Sequence, residues 1–311
     1  MVCCSADREK VAPHRACAIP RITAMDDAQR GDGGRALSLA PLTVLELGPD
    51  ELVDVAAAAG FDAVGLRLIR ATPEEPLRPA VGRTPLVRDI KRRLDDTGLR
   101  LVDIEVLRLR PDTHVRDDYG VFLETGAFLG AEQVLVTGND PDHHRTADRF
   151  AELAQLCAEH GLTPNLEPMP WTEVADLQQA VSILARAGHD NAGLLVDAIH
   201  WDRARNTPAQ LAALPRNWIR YAQICDAVAP RPTTVDEMMY QGRSARLFPG
   251  QGSIDLVAML HALPAGIPIS VEAPVRWDAP AQVRARAAQR AARAVLDLVD
   301  RDEGRQTARY A

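Results

Sequence analysis

The stretch Asn165-Leu166-Glu167-Pro168-Met169-Pro170-Trp171 decides how this chain reads. A carboxylate closes an apolar run, and two prolines that cannot continue a central strand follow at once, so Glu167 stands at a strand's C-terminal end. Three stretches downstream repeat the arrangement: Leu194-Leu195-Val196-Asp197 with His200 beyond it, Tyr221-Ala222-Gln223-Ile224-Cys225-Asp226, and Ile269-Ser270-Val271-Glu272 before Ala273-Pro274. Four strand ends each present an oxygen ligand.

Working outward, apolar runs at 36–45, 63–68, 101–107, 133–136, 163–166, 193–196, 219–224 and 267–271 read as strands. Helical patterns follow them at 50–59, 85–97, 119–129, 145–159, 173–187, 208–214, 254–263 and 280–299, with glycine stops such as Gly60, Gly98, Gly130 and Gly188. Short apolar strands alternating with amphipathic helices imply parallel pairing with both faces covered. Eight such units without a glycine-rich nucleotide loop predict a closed (β/α)8 TIM barrel of the α/β class. The 311 residues suit a single barrel domain over 36–300, with a disordered N-terminal extension over 1–35 and a C-terminal tail over 301–311. In that fold the chemistry sits on the loops after the strands' C-terminal ends.

Composition narrows the function. A formal charge of -7 argues against a nucleic-acid surface, which rewards clustered Lys and Arg. Only Lys10 and Lys91 are lysines, and Lys91 falls in a helical pattern, so a Schiff-base lysine has no candidate. The cysteines at 3, 4, 17, 157 and 225 form neither a disulfide framework nor a CxxC zinc pair, which points to a reducing cytoplasm. No apolar run reaches the roughly 18 residues of a membrane span, and no secretory signal is read in the first 35 residues.

The succession Leu-Glu-Pro, Val-Asp-x-x-His, Gln-x-x-Asp, Pro-Gly-Gln-Gly and Ser-Val-Glu resembles the xylose-isomerase-like barrel superfamily of sugar isomerases and epimerases, over roughly 36–300. The resemblance implies one divalent cation held by Glu167, Asp197, Gln223 and Glu272. Epimerases of this type carry a histidine where this chain has Gln223. An all-oxygen set suits Mg²⁺ or Mn²⁺, with Co²⁺ as a further option. The resemblance also gives His200 a role near the substrate, where an imidazole titrating near neutrality moves protons. Dimers or tetramers are common among such barrels, so a homo-oligomer is expected.

Any one of these carboxylates alone would equally fit a structural arginine pair; four in this order fit a site better. Arg203 either binds substrate oxygens or pairs with Asp202, and Glu105 either faces the mouth or pairs with Arg108 or Arg110. The long segment 227–253 reads as a lid, with Arg243 or Arg246 available to an anionic group and Arg246 favoured because it adjoins the Pro-Gly turn.

The first reading is isomerisation or epimerisation of a keto sugar or sugar phosphate, with Glu167 and Glu272 exchanging a proton beside a polarised carbonyl. A lyase of the 3-dehydroshikimate dehydratase type, acting on a cyclic hydroxyketone, is the alternative that Gln223 strengthens. An apurinic-site endonuclease ranks low, because His143, His144 and His261 lie off the ligand strands and the charge is acidic. A barrel that only binds a polyol or partner protein is the noncatalytic reading.

Overall fold

A computed structural model describes residues 34–72, 75 and 80–310, with backbone only from 303 onward. Residues 1–33, most of the expected extension, lie outside the described residues.

Among the described residues, nine strand segments form one parallel sheet: β1 (Leu37–Leu39), β2 (Ala63–Arg67), β3 (Arg100–Leu109), β4 (Gln133–Gly138), β5 (Thr163–Glu167), β6 (Gly193–Leu194), β7 (Val196–Asp197), β8 (Ala222–Ile224) and β9 (Ile269–Val271). β6 pairs with β5 and β7 pairs with β8. Only Leu195 separates these two segments, and its N–H donates to the Leu166 carbonyl at 3.0 Å. The sheet is therefore a ring of eight strands whose sixth is read in two pieces. β1 closes the other side by pairing with both β2 and β9.

Period-two alternation sorts the side chains. Leu37, Leu39, Val64, Leu66, Leu166, Val196, Ala222, Ile224, Ile269 and Val271 join the outer apolar core, packed with residues of the surrounding helices. Ala63, Val102, Val106, Leu135, Leu195 and Tyr221 form a smaller separate cluster inside the ring. Each fully buried Leu, Ile or Val stabilises by about 1.5–3 kcal/mol, so the outer layer holds the ring and leaves its rim free for polar groups.

The helical layer runs through α1 (Pro49–Ala59), α2 (Pro85–Thr97), α3 (Val115–Leu129), α4 (His143–Glu159), α5 (Leu177–Ala187), α6 (Ala198–Arg203), α7 (Pro208–Ala212), α8 (Val235–Ser244), α9 (Leu256–Ala262) and α10 (Ala281–Tyr310). Among the described residues no helix is long and apolar enough to cross a membrane.

Three elements differ from the sequence expectation. β1 ends early because Pro41 lacks a ladder donor and opens a 3₁₀ turn at Pro41–Val44. The Thr43 hydroxyl in this turn donates to the Val271 carbonyl at 2.8 Å and accepts from the Ala273 N–H at 2.9 Å, tying the first strand's end to the eighth. α10 runs on to Tyr310, because Arg, Gln and Ala sustain a helix where a tail was expected. The segment 227–253 carries α8, with a Thr234 cap and acidic Asp236 and Glu237 in its first turn.

That segment is anchored at its root. Asp226 pairs antiparallel with Leu247, and its carboxylate accepts from the N–H groups of Ala227, Gly250 and Ile254 at 2.8, 3.1 and 3.0 Å. Gly252 permits this closure, since a Cβ there would stand 2.4 Å from both the Ala227 carbonyl and the Asp226 carboxylate.

Candidate active site

The ring brings the four predicted ligands to neighbouring strands. Glu167 ends β5, Asp197 ends β7 in register with Gln223 of β8, and the Glu272 N–H donates to the Ile224 carbonyl at 3.1 Å. All four are buried, the most exposed being Glu272 at 5%. Glu167, Glu272, His200, Glu105 and Arg246 line one cavity of about 290 Å³ at this end of the barrel, whereas Asp197 and Gln223 do not line it.

Arg246, delivered by the segment 227–253, joins two of the carboxylates. Its guanidinium stands 2.6 Å from Asp197 and 2.9 Å from Glu272, and it also donates to the Gly242 and Glu272 carbonyls at 2.6 and 3.0 Å. Burial works against ionisation of Asp197, but Arg246 and His200 outweigh it and hold that carboxyl below the usual range. Burial pushes Glu272 up to about 7, with Glu105 and Asp197 adding to the rise and Arg246 opposing it. Glu167 is raised too, by burial and then by Asp197 and Glu272.

This geometry fits a cation. Glu167 Oε1 and Gln223 Oε1 are buried oxygens without a hydrogen-bond partner, and Glu272 Oε1 receives only a 3.4 Å contact from Gln223. Buried oxygens left in this state cost about 1–3 kcal/mol each, a cost an oxygen-seeking dication removes. Donor atoms of Glu167, Asp197 and His200 also lie within 4.8 Å of one another. Glu167 belongs to both groupings, Gln223 and Glu272 to the first and Asp197 and His200 to the second.

His200 sits in the first turn of α6, below the Asp197 cap, whose carboxylate accepts from the Ile199 and His200 N–H groups at 2.8 and 3.3 Å. Its Nε2 lies 3.7 Å from Glu167 Oε1, beyond hydrogen-bond reach, and its Nδ1 has no partner. Burial lowers its pKa to about 4, so the ring is neutral at pH 7. The expected titration near neutrality is corrected by this burial. Trp171 crosses the imidazole edge-on, at 85° and 4.7 Å between ring centroids.

On the other side of the cavity, Glu105 pairs with Arg67 at 2.6 Å, and Arg67 also holds Glu75 at 2.6 Å. The partner of Glu105 is thus Arg67, not Arg108 or Arg110, while its carboxylate still lines the cavity. A register shift in β3 between Ile104 and Leu107 accompanies this placement. Arg108 and Arg243 line the same cavity, and among the described residues neither pairs with a carboxylate. Burial, then Arg110, Arg243 and Arg67, lower the Arg108 pKa, with Glu75 opposing them. Arg203 is not a cavity residue. It pairs with Asp202 and donates to Gln241 Oε1 and the Val228 carbonyl at 2.8 and 3.0 Å, fastening α6 to the 227–253 segment.

Arg67 and Trp171 were not among the sequence candidates. Arg67 ends β2 as Glu167 ends β5, so the strand-end rule reaches it once basic residues are included.

The family model for the xylose isomerase-like TIM barrel matches residues 53–296. The chain belongs to that family. A 3-dehydroshikimate dehydratase of Pseudomonas aeruginosa is 30% identical over 223 residues, 68% of this chain and 33% of that protein. The chain spans about a third of the length of this curated relative. Among solved structures, the IOLI protein with a binding zinc atom superposes with a TM-score of 0.69 at 20% identity, covering 85% of this chain and 99% of that one. L-ribulose 3-epimerase superposes with a TM-score of 0.64 at 17% identity, covering 89% and 99%. These two likenesses concern the fold. Epimerases and dehydratases thus share this barrel.

Proposed function

We propose that the protein is a divalent-metal-dependent lyase that dehydrates a cyclic hydroxyketone carboxylate of the 3-dehydroshikimate type. The observation that carries this reading is the pair Arg108 and Arg243, cations without carboxylate partners among the described residues, in the same cavity as the unpartnered Oε1 of Glu167. An anionic ring compound supplies what both sides lack: a carboxylate for the arginines and ketone and hydroxyl oxygens for a cation. A neutral keto sugar would leave the arginines unanswered, whereas a sugar phosphate would engage them as a ring carboxylate does. The sequence motifs ranked isomerisation or epimerisation first; the cationic side of the cavity favours an anionic substrate, and the similarity to a dehydratase is what puts the lyase ahead. The dehydratase of Pseudomonas aeruginosa adds support through its similarity over 68% of this chain.

In this reading Glu167, Asp197, Gln223 and Glu272 would hold Mg²⁺, Mn²⁺ or Co²⁺, which would supply Lewis-acid polarisation of the ketone and so acidify the neighbouring C–H. Arg108 and Arg243 anchor the carboxylate and so set which ring carbon faces His200. Neutral His200 takes the proton from the carbon beside the ketone. The bond to the β-hydroxyl then breaks, the electron pair of the former C–H bond forming a ring double bond, and the hydroxyl leaves as water with one proton. A further proton shift from ring carbon to ketone oxygen gives a dihydroxybenzoate, so one water is the only atom loss. Arg246 balances Asp197 and Glu272 and keeps Asp197 ionised.

Epimerisation or isomerisation of a ketose or its phosphate is the second reading, favoured by one observation. Glu167 and Glu272 come from different strands and line one cavity, so one would remove a proton and the other return it. Incubation with 3-dehydroshikimate and Mn²⁺, Mg²⁺ or Co²⁺ separates the two. Ultraviolet absorbance of an aromatic product supports the lyase. An unchanged spectrum, with solvent deuterium entering a ketose, removes it in favour of the epimerase.

A further inference from the structure

His200 is the proposed base, yet its ring makes no hydrogen bond: Nδ1 has no partner and Nε2 stands 3.7 Å from Glu167. Histidines that move protons are ordinarily oriented through their second nitrogen. Here the orienting contact is the Trp171 indole, 4.7 Å away and nearly perpendicular. Trp171 follows Glu167 on the β5 loop and lines the cavity.

What holds Trp171 lies on α8. A Cβ built on Gly242 would stand 2.3 Å from Trp171 Cη2 and 3.1 and 3.2 Å from Cζ3 and Cζ2. The helix backbone therefore rests directly on the indole, at a distance no other residue permits. A rigid aromatic ring has no flexible end to move aside. Arg246 ties this same turn to the carboxylates, since its Nε donates to the Gly242 carbonyl at 2.6 Å while its guanidinium holds Asp197 and Glu272. Gly242, Arg243 and Arg246 all line the cavity.

We propose that Trp171 and Gly242 are positioning residues: the bare backbone of α8 at Gly242 presses the Trp171 indole onto His200 and fixes the imidazole by packing instead of hydrogen bonding. The segment 227–253 thereby sets the geometry of a proton carrier on a different loop. The inference rests on the proposed role of His200 for its kinetic consequence, and on packing alone for its structural one.

The test is a double-mutant cycle with Gly242→Ala, Trp171→Phe and both together, measured on the full chain. A base misplaced by about 1 Å costs about 100-fold, so Gly242→Ala lowers kcat toward 3-dehydroshikimate on that scale, with KM and Mn²⁺ affinity changed far less. The smaller phenyl ring makes room for the added methyl, so the double variant returns to within a few-fold of Trp171→Phe alone. The His200 carbon-bound proton resonances, shifted by the Trp171 ring current, supply a readout that needs no turnover. They move in Gly242→Ala at unchanged metal affinity. An unmoved His200 signal in Gly242→Ala, or losses that simply multiply in the double variant, overturns the proposal. A wild-type protein inactive on 3-dehydroshikimate whose His200 signal follows the cycle leaves the packing intact and sinks only the lyase reading.

Discussion

The two sides of the cavity are out of balance in opposite senses. On the side of strands β5 to β9, three carboxylates and an amide face one guanidinium, Arg246, and buried oxygens of Glu167 and Gln223 are left without donors. On the side of β2 and β3, Arg67, Arg108 and Arg243 face Glu105 and Glu75, and two of the three arginines have no carboxylate among the described residues. The acidic side is costly alone, because a buried oxygen without a partner forfeits its hydration. On the other side Arg243 is exposed and Arg108 half-buried with its Nε on the Ala71 carbonyl, so these cations are solvated and open to an anion. Together they describe a ligand with a cation-bound end and an anionic end. The contrast also separates an anionic substrate, a ring carboxylate or a sugar phosphate, from a neutral ketose, which needs only the first side.

Breaking the acidic side produces the largest effect. Glu167→Gln removes the carboxylate whose Oε1 has no other partner, and turnover falls by about 1,000-fold or more, read with saturating Mn²⁺ to distinguish lost chemistry from lost affinity. Next comes Arg203, which belongs to neither side. Arg203→Ala leaves Asp202 to Arg231, which donates to both its oxygens at 2.9 and 2.7 Å, but cuts the ties from α6 to Gln241 and the Val228 carbonyl. It destabilises the fold by about 1–3 kcal/mol, with KM unchanged; a raised KM at unchanged thermal stability would return it to the substrate. Breaking the cationic side is milder. Arg108→Ala raises KM for the anionic substrate by about 10- to 100-fold, as expected for one charge-assisted hydrogen bond of about 1.5–3 kcal/mol, and leaves metal affinity alone.

The smallest effect concerns protons. Metal binding requires ionised carboxylates, and burial places Glu272 at about 7. Below that pH a proton competes with the ion, so apparent affinity falls about tenfold per pH unit for each proton displaced. Above about pH 8 that dependence on Glu272 levels off. Calorimetry in two buffers of different ionisation enthalpy reads the protons released. A flat affinity between pH 6 and pH 8 contradicts the assignment of Glu272 as a ligand.

How much of this was legible in the sequence follows the same divide. The barrel was readable because its strands are short apolar runs between helices closed by glycine, and because prolines mark where β5 and the eighth strand must stop. The acidic side was readable because its residues end consecutive strands. Arg67 ends a strand as well, but a basic residue there is as easily a solvated group, and only the Glu105 contact reveals it. The helix inside 227–253 was missed because Pro230, Pro232 and the glycines around it masked a ten-residue helical pattern. Gly242 gave no signal of its own, since its meaning lies in the distance to an indole about 70 positions earlier, and no spacing rule spans such a gap.

Titration of the metal-free protein with Mn²⁺ by calorimetry tests the central claim most directly. Convergence of Glu167, Asp197, Gln223 and Glu272 predicts one ion per chain, with affinity weakened at least tenfold in Gln223→Leu, which deletes a neutral oxygen and no charge. Binding of no ion, or binding that Gln223→Leu leaves untouched, would contradict it.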